Sequence, residues 1–299
     1  MMVSVIIPTY NRAQYIAETI ESVLAQTYRD IEIIVIDDGS KDNTGEVVKQ
    51  FGDRVRYVWQ ENSERAVSRN NGLKLSRGEF VSFPDSDDCW LPETLNEMMD
   101  TMRYVPAAGL VAVGCAIVNT DRRVMGTFQP GGNVDGVVTN AFHQLLHSNI
   151  IGSPSAVLLR RNVLERAGTF DEDRHLIGVE DWELWARLAF FGPVVCRRKP
   201  LVHYRRHKGN FPIAEMRMRY PWVVEALLRN LPLNPDQQVD ICATSAHRLV
   251  EYAEELMQIE ERGPADHCLK AAARFFAPIE NDPTYRQLVT QRQAPAQQS

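Results

Sequence analysis

The sequence has few of the features that mark secreted or membrane-spanning proteins. Its five cysteines lie far apart, form no CxxC pair and are odd in number, so reduced thiols are expected rather than a disulfide framework. No apolar run approaches the length of a membrane-spanning helix, and the stretch after Met1 is too short for the apolar part of a signal peptide. We therefore expect a cytoplasmic protein that contacts, at most, the inner face of a membrane.

The sequence lacks two further features, which argues against nucleic acid and dinucleotides as binding partners. Lys and Arg are dispersed and the net charge is −6, so no basic surface for nucleic acid is expected. No GxGxxG motif follows the first apolar run, which argues against a dinucleotide bound at a glycine-rich helix start. Hydrophobic residues make up 44% of the 299 residues and aromatic residues 8%, enough to form the core of one large domain, with or without an appendage.

Strand-like and helix-like segments alternate four times in roughly the first 105 residues. This alternation predicts an α/β fold with a doubly wound, mostly parallel, Rossmann-like sheet, in which ligands bind at the carboxyl ends of the strands. Polar residues follow three of the predicted strands, so we expect one crevice to contain all of them. These segments are Pro8-Thr9-Tyr10, Asp37-Asp38 and Asp85-Ser86-Asp87-Asp88.

The last of these segments places Asp85, Asp87 and Asp88 directly after a buried apolar run. Carboxylates this close raise each other's proton affinity unless a cation lies among them. Oxygen ligands at this density favour Mg²⁺ or Mn²⁺, which retain positions for water and substrate phosphates. The alternative is a polar turn in which Asp88 caps the next helix.

Residues around the acidic segment suit a nucleotide. Tyr10 offers a stacking face for a base, and Asp38 can accept a hydrogen bond from a base NH such as that of uracil. Arg69 can bind a diphosphate with two parallel hydrogen bonds. Each residue also has an ordinary interpretation: an aromatic at a strand end, an acid in a turn, and an arginine on a solvated helix face.

The second half of the chain contains two charged segments. Glu180 and Asp181 open a predicted helix, where acids complement the helix dipole or serve as a base at the edge of a crevice. Lys199–Gly209 concentrates positive charge, and it either closes over phosphates or forms a solvated loop.

Beyond residue 216 the pattern becomes helical. Apolar residues recur at three- and four-residue intervals from Val239 to Met257 and again from Leu269 to Phe276, which predicts amphipathic helices. Such helices would dock on the preceding domain, on a partner subunit in a homodimer, or on a membrane face. Residues from Gln291 onward are expected to be disordered.

Four motifs together resemble family 2 glycosyltransferases with the GT-A fold, of the bacterial group that includes cell-surface polysaccharide transferases. The resemblance is dense from Val3 to Trp90, moderate from Ser153 to His207, and absent from about the last eighty residues. The motifs are Val3–Arg12, Asp37–Ser40, Arg69–Gly72 and Asp85–Asp88.

The resemblance implies a GT-A domain over residues 1–215, with a nucleotide-binding half at 1–105 and an acceptor half at 106–215, and a helical region at 216–299. Asp87 would contact the metal directly, with Asp85 and Asp88 beside it. Asp181 would be the catalytic base, and Glu180 would touch the acceptor. The residues implied in nucleotide binding are Pro8, Thr9, Tyr10, Arg12, Asp38, Arg69, Asp85, His203 and Arg206.

The implied reaction is an inverting, metal-dependent transfer from a nucleotide-sugar to a hydroxyl of a saccharide or lipid-linked acceptor. We expect a UDP-sugar because Asp38 suits uracil, although thymine offers the same NH. A nucleotidyltransferase is one alternative, but it needs a glycine-rich basic loop that Pro8–Arg12 lacks. A non-catalytic nucleotide- or carbohydrate-binding regulator with a partner-binding helical tail is the other. The motifs identify neither the donor sugar nor the acceptor.

Overall fold

The computed structural model describes residues 1–207 and 213–293. The chain divides into two compact units, one formed by residues 1–145 and 149–210 and the other by residues 146–148 and 211–299. Within the described residues, the first unit contains all of the strands and the helices up to α7. The strands are β1 (Val3–Thr9), β2 (Ile31–Asp37), β3 (Arg56–Trp59), β4 (Phe80–Ser82), β5 (Cys89–Trp90), β6 (Leu110–Val118), β7 (Val124–Phe128), β8 (Gly136–Val137), β9 (Val157–Arg160) and β10 (Val194–Arg205).

Helices follow most of the strands in the first unit and make up the second. Those up to α7 are α1 (Ile16–Leu24), α2 (Thr44–Lys49), α3 (Arg65–Leu75), α4 (Thr94–Tyr104), α5 (Ala141–His147), α6 (Arg161–Ala167) and α7 (Glu180–Phe191). Those that follow are α8 (Ile213–Asn230), α9 (Pro235–Gln258), α10 (Arg262–Phe275) and α11 (Pro283–Gln293).

The strands form one sheet with the order β3-β2-β1-β4-β9-β6-β10-β5, to which β7 is added beside β6 and β8 beside β10. The first four strands in this order are parallel, as are β6 and β10, whereas β9 runs antiparallel between β4 and β6. Strands such as β1 are buried along their whole length, as strands covered on both faces should be. The predicted doubly wound α/β sheet is confirmed, with antiparallel strands added in its second half.

The register brings the polar strand ends together. Thr9 of β1 lies opposite Asp37 of β2, and the Asp38 backbone N–H donates to the Thr9 carbonyl oxygen over 2.8 Å. Nε of Arg12 lies 3.2 Å from Oδ2 of Asp87 in the turn after β4. The expected convergence of the three strand ends is therefore confirmed.

The segment Lys199–Gly209 is not a solvated loop, which was one of its two interpretations, because residues up to Arg205 belong to β10. Leu201 and Val202 are fully buried, so apolar contacts stabilise the strand. The charged residues around them gave the sequence no strand-like pattern. The register slips around Pro200, which lacks a backbone N–H for the ladder. Lys208 and Gly209 lie outside the described residues.

The second unit contains the predicted amphipathic helices. Helix α9 begins at an Asn234 cap that forms a reciprocal capping box with Gln237, and its buried face includes Leu249, Ala253 and Leu256. Residues 291–293 belong to α11, while residues 294–299 of the predicted tail lie outside the described part. None of the described helices combines the length and apolar character needed to cross a bilayer.

Candidate functional site

The acidic turn after β4 contains two kinds of carboxylate. Asp88 is only 1% exposed, and its Oδ2 accepts from Oγ of Ser155 over 2.5 Å while its Oδ1 accepts from the backbone N–H of Arg205 over 2.9 Å. Burial raises the pKa of Asp88 well above its usual range, and the charges of Asp87 and Asp85 raise it further. Asp88 joins the turn to β10, and a metal would have to share its oxygens with these two donors. Its predicted place beside the metal stays a prediction.

Ser155 organises this turn, although the sequence did not single it out. Its hydroxyl donates to Asp88 and accepts from the backbone N–H of Asp85 over 2.9 Å. The carbonyl oxygen of Ser155 accepts from the indole N–H of Trp90. One residue 67 positions away from Asp88 in the chain therefore fixes the direction of the acidic turn.

Asp87 is held by the Arg12 guanidinium and the His207 ring. Its Oδ2 lies 3.2 Å from Nε of Arg12 and 2.8 Å from Nε2 of His207. Burial alone would raise the pKa of Asp87, but the hydrogen bond from His207 and the charge of Arg12 outweigh it and lower that pKa. The His207 ring also stacks on Tyr15, with the ring centroids 5.5 Å apart.

The sequence predicted His203 and Arg206 for this region, but Arg205 and His207 are the residues of this segment that bond to the acidic turn. His203 lies within β10, opposite Cys89 of β5, and Arg206 is exposed, with its backbone N–H bonded to the Val118 carbonyl. Sequence reasoning missed His207 because the position of the end of β10 was unknown.

Arg69, which was expected to bind a diphosphate or to lie on a solvated helix face, is buried between two carboxylates. Its guanidinium donates to Oδ1 of Asp85 over 2.9 Å and to Oε1 of Glu180 over 2.7 Å, and the side chain is only 1% exposed. It lies over the Phe170 ring, 5.2 Å from the centroid. Both outer nitrogens are therefore paired with carboxylates, and the predicted pairing with a diphosphate would require an exchange of partners. Its Nε is buried and has no hydrogen-bond partner among the residues that the structure describes.

No three His, Cys, Asp or Glu side chains of residues 1–207 and 213–293 form a group that could hold a metal ion. Asp85 and Asp87 nevertheless each keep one oxygen to which no described residue donates. Two carboxylates with free oxygens fit Mg²⁺ or Mn²⁺, because such ions are held by one or two carboxylates together with water and substrate phosphates. The residues present thus fit a metal shared with a substrate.

The residues predicted to bind the nucleotide base at the end of β1 differ in their availability to a ligand. Tyr10 is 41% exposed, and within residues 1–207 and 213–293 no group forms a hydrogen bond with Oγ1 of buried Thr9. Pro8 is buried beside them. Asp38, in contrast, is fully engaged: it accepts from the side chains of Gln60 and Asn62 and from the backbone N–H groups of residues 63 and 64. A base NH would have to compete with these donors.

Glu180 and Asp181 begin α7 and differ in their surroundings. Glu180 is buried and bonded to Arg69 and to the backbone N–H of Gly178. Its burial raises its pKa, but the charges of Arg65 and Arg69 outweigh this and lower it. Burial and the neighbouring Glu180 charge raise the pKa of Asp181 to about 7.

Asp181 has one engaged and one available oxygen. Its Oδ1 accepts from the backbone N–H of Trp182 over 2.7 Å, and none of the described residues donates to Oδ2. A carboxyl group with a pKa near neutrality and a free oxygen can take a proton from a substrate.

Known proteins resemble this chain in sequence over part of its length. The profile described as "Glycosyl transferase family 2" matches residues 4–168. An uncharacterised glycosyltransferase of Nostoc sp. is 30% identical over 220 residues, which are 70% of this chain and 66% of the relative. Glycosyltransferase GlyG of Streptococcus pneumoniae is 44% identical over 91 residues, which are 29% of this chain and 30% of that protein. The matched part thus spans less than two thirds of the length of these relatives.

Two solved structures resemble the fold. S. aureus TarS 1-349 in complex with UDP-GlcNAc has a TM-score of 0.71 at 20% identity, covering 98% of this chain and 89% of that one. The mannosyltransferase PcManGT of Pyrobaculum calidifontis, in complex with GDP-Man and Mn²⁺, has a TM-score of 0.56 at 22% identity, covering 97% and 83%. The predicted GT-A fold is confirmed by this likeness.

Proposed function

The chain belongs to glycosyl transferase family 2, and from this premise we propose that it transfers a sugar from a nucleotide-sugar to a hydroxyl of a saccharide or lipid-linked acceptor, with inversion and with a divalent metal. The family inferred from the motifs is confirmed by the profile match. The donor nucleotide, the acceptor class and a role in cell-surface polysaccharide synthesis are parts of the proposal.

The observation that carries the proposal is that Arg69 pairs with Asp85 and Glu180 at once. Asp85 belongs to the acidic turn that fits a metal, and Glu180 directly precedes the candidate base Asp181. For sugar transfer, the diphosphate of the donor must bind at the acidic turn and the acceptor hydroxyl must lie at Asp181. One buried guanidinium thus connects the two ends of a donor-to-acceptor path.

Asp181 acts as the general base. Its free oxygen takes the proton of the acceptor hydroxyl while that oxygen attacks the anomeric carbon and the bond from this carbon to the diphosphate breaks. Attack opposite the leaving group inverts the configuration. A pKa of about 7 keeps a large fraction of Asp181 ionised near neutral pH while leaving it basic enough to accept the proton.

The leaving diphosphate is bound at the acidic turn. Asp85 and Asp87 would hold Mn²⁺ or Mg²⁺, which when bound offsets the negative charge that develops on the diphosphate. Arg12 and His207, which both contact Asp87, lie where they can donate to phosphate oxygens. TarS has been solved with UDP-GlcNAc and PcManGT with GDP-Man and Mn²⁺, which supports a nucleotide-sugar and a divalent metal here.

We assign the two substrates to different halves of the first 215 residues. We assign the nucleotide to residues 1–105, where Tyr10 stacks on the base, and the acceptor to residues 106–215. UDP is the proposed nucleotide, although Asp38 must release one of its present donors to accept from uracil. The proposed site of action is the cytoplasm or the inner face of a membrane, and homodimer formation through α8 to α11 stays a prediction.

The test combines binding and turnover. UDP, GDP and TDP are titrated calorimetrically with and without Mn²⁺, and the matching nucleotide-sugars are incubated with a saccharide acceptor set while release of nucleoside diphosphate is measured. We expect metal-dependent binding of one nucleotide, and release that requires Asp181. Well-folded protein that binds no nucleotide would refute the proposal; binding without any release would favour a regulator.

A further inference from the structure

Arg65 is an arginine at the site to which the sequence motifs assigned no role. It begins α3, one helical turn before Arg69, so both side chains project from the same face of the helix. Nε of Arg65 lies 3.8 Å from Oε1 of Glu180. Its charge also acts on Asp85, the other carboxylate that Arg69 holds.

Arg65 is available to a ligand, unlike Arg69. Its side chain is 45% exposed, against 1% for Arg69. Glu180 is already satisfied by Arg69 over 2.7 Å and by the Gly178 backbone N–H over 2.6 Å, and 3.8 Å is too long for a hydrogen bond. Among the residues described, none accepts a hydrogen bond from the Arg65 guanidinium, so its donors are open to a substrate.

The backbone before Arg65 is held in an unusual conformation. Glu64 has φ 76° and ψ 162°, a region that residues other than glycine rarely occupy and that tends to occur at ligand sites. The Glu64 N–H donates to Oδ2 of Asp38 over 3.0 Å, and the Ser63 N–H donates to Oδ1 over 2.9 Å. Asp38 therefore fixes the backbone directly before Arg65, and with it the position from which the Arg65 side chain projects.

The position of Arg65 indicates which part of a substrate it meets. In the proposed reaction the transferred sugar lies between the acidic turn, which binds the diphosphate, and Asp181, which binds the acceptor hydroxyl. Nε of Arg65 lies 3.8 Å from Glu180 at the acceptor end, and Glu180 shares the Arg69 guanidinium with Asp85 at the diphosphate end. A group within its reach therefore belongs to the transferred sugar rather than to the base or the acceptor.

We propose that Arg65 is a specificity residue that binds a carboxylate on the transferred sugar, so that the donor is a nucleotide-linked acidic sugar; this inference rests on the proposed function. A guanidinium presents parallel N–H donors that match a carboxylate, and such charged pairs are stronger than neutral ones. The Arg69 guanidinium is already paired with Glu180 and Asp85, whereas no carboxylate of the described residues accepts a hydrogen bond from Arg65.

The test compares donors that differ only in the carboxylate. UDP-glucose, UDP-glucuronate, GDP-mannose and GDP-mannuronate are titrated calorimetrically with Mn²⁺ into wild type, Arg65→Gln, Arg65→Lys and Arg77→Gln. Arg77 lies after the other end of α3 and is 79% exposed, so its variant is a control for loss of one positive charge.

We expect wild type and Arg77→Gln to bind one acidic sugar about tenfold or more tightly than its neutral counterpart, as one charged pair allows. Arg65→Gln should lose this preference while binding the neutral donor within about threefold of wild type, and Arg65→Lys should retain part of it. Equal weakening of both donors in Arg65→Gln, or a wild type that does not prefer the acidic sugar, would overturn the inference and leave the proposed function standing. Binding of none of the four would overturn the inference, and the proposed function would fail with it only if UDP, GDP and TDP did not bind either.

Discussion

Nη1 of Arg69 lies 2.7 Å from Oε1 of Glu180, and neither side chain is more than 3% exposed. The two residues are 111 positions apart, so their contact joins α3 to the start of α7. The same guanidinium holds Asp85. One ion cluster therefore joins α3 both to the acidic turn and to the start of α7.

Replacing Arg69 with Gln should destabilise the protein by about 3–5 kcal/mol, because two carboxylates lose a buried partner. Urea unfolding monitored by circular dichroism measures the change. Arg77→Gln, which removes an exposed arginine, should cost less than about 1 kcal/mol. If Arg69→Gln were as stable as the control, the cluster would not be important for folding.

Replacing Asp181 with Asn should lower kcat by about 10²- to 10⁴-fold, because the amide cannot accept the acceptor proton. Nucleotide affinity by calorimetry should stay unchanged, since the substitution is isosteric and Asp181 is not a hydrogen-bond partner of Asp85 or Asp87 among the described residues. Asp100→Asn, on the exposed side of α4, is the matched control. Full activity of Asp181→Asn would assign the base to another residue.

The dependence of kcat/KM on pH should report the ionisation of Asp181. A base with a pKa of about 7 is mostly protonated below that pH, so kcat/KM should rise with pH and reach half its maximum near pH 7. Burial is the first cause of the raised pKa and the Glu180 charge is the second. Glu180→Gln removes that charge, so the pKa of Asp181 should fall and the acidic limb should move to lower pH. A limb that stays in place or moves upward would contradict this assignment.

Asp87 and Asp88 should respond differently to the same substitution. Asp87→Asn should abolish metal-dependent nucleotide binding, measured by titration with and without Mn²⁺, because a metal ligand is lost. Asp88→Asn should preserve it and change unfolding free energy by less than about 1 kcal/mol: the amide oxygen can accept from the Arg205 N–H and the amide nitrogen can donate to Ser155. Loss of binding in Asp88→Asn alone would return Asp88 to the metal site.

Local patterns predicted much of the fold. The alternation of apolar runs with helical spacing identified the first strands and helices, because burial imposes a period on each element. Strand β10 was missed, since Arg197, Arg198 and Lys199 interrupt its apolar residues and leave no regular period. The short strand β5 contains only two residues, too few to give a pattern.

The motifs also located the site, but they did not give the contacts within it. The sequence by itself determined that carboxylates, an aromatic ring and arginines follow three strand ends, because the type and order of residues are local properties. Only the tertiary structure decided that Asp88 and Arg69 are buried, that His207 rather than His203 meets Asp87, and that Arg65 stays open. Those outcomes depend on partners 67 to 120 positions away, and the packing of distant elements determines whether a charge is paired inside the protein or left for a substrate.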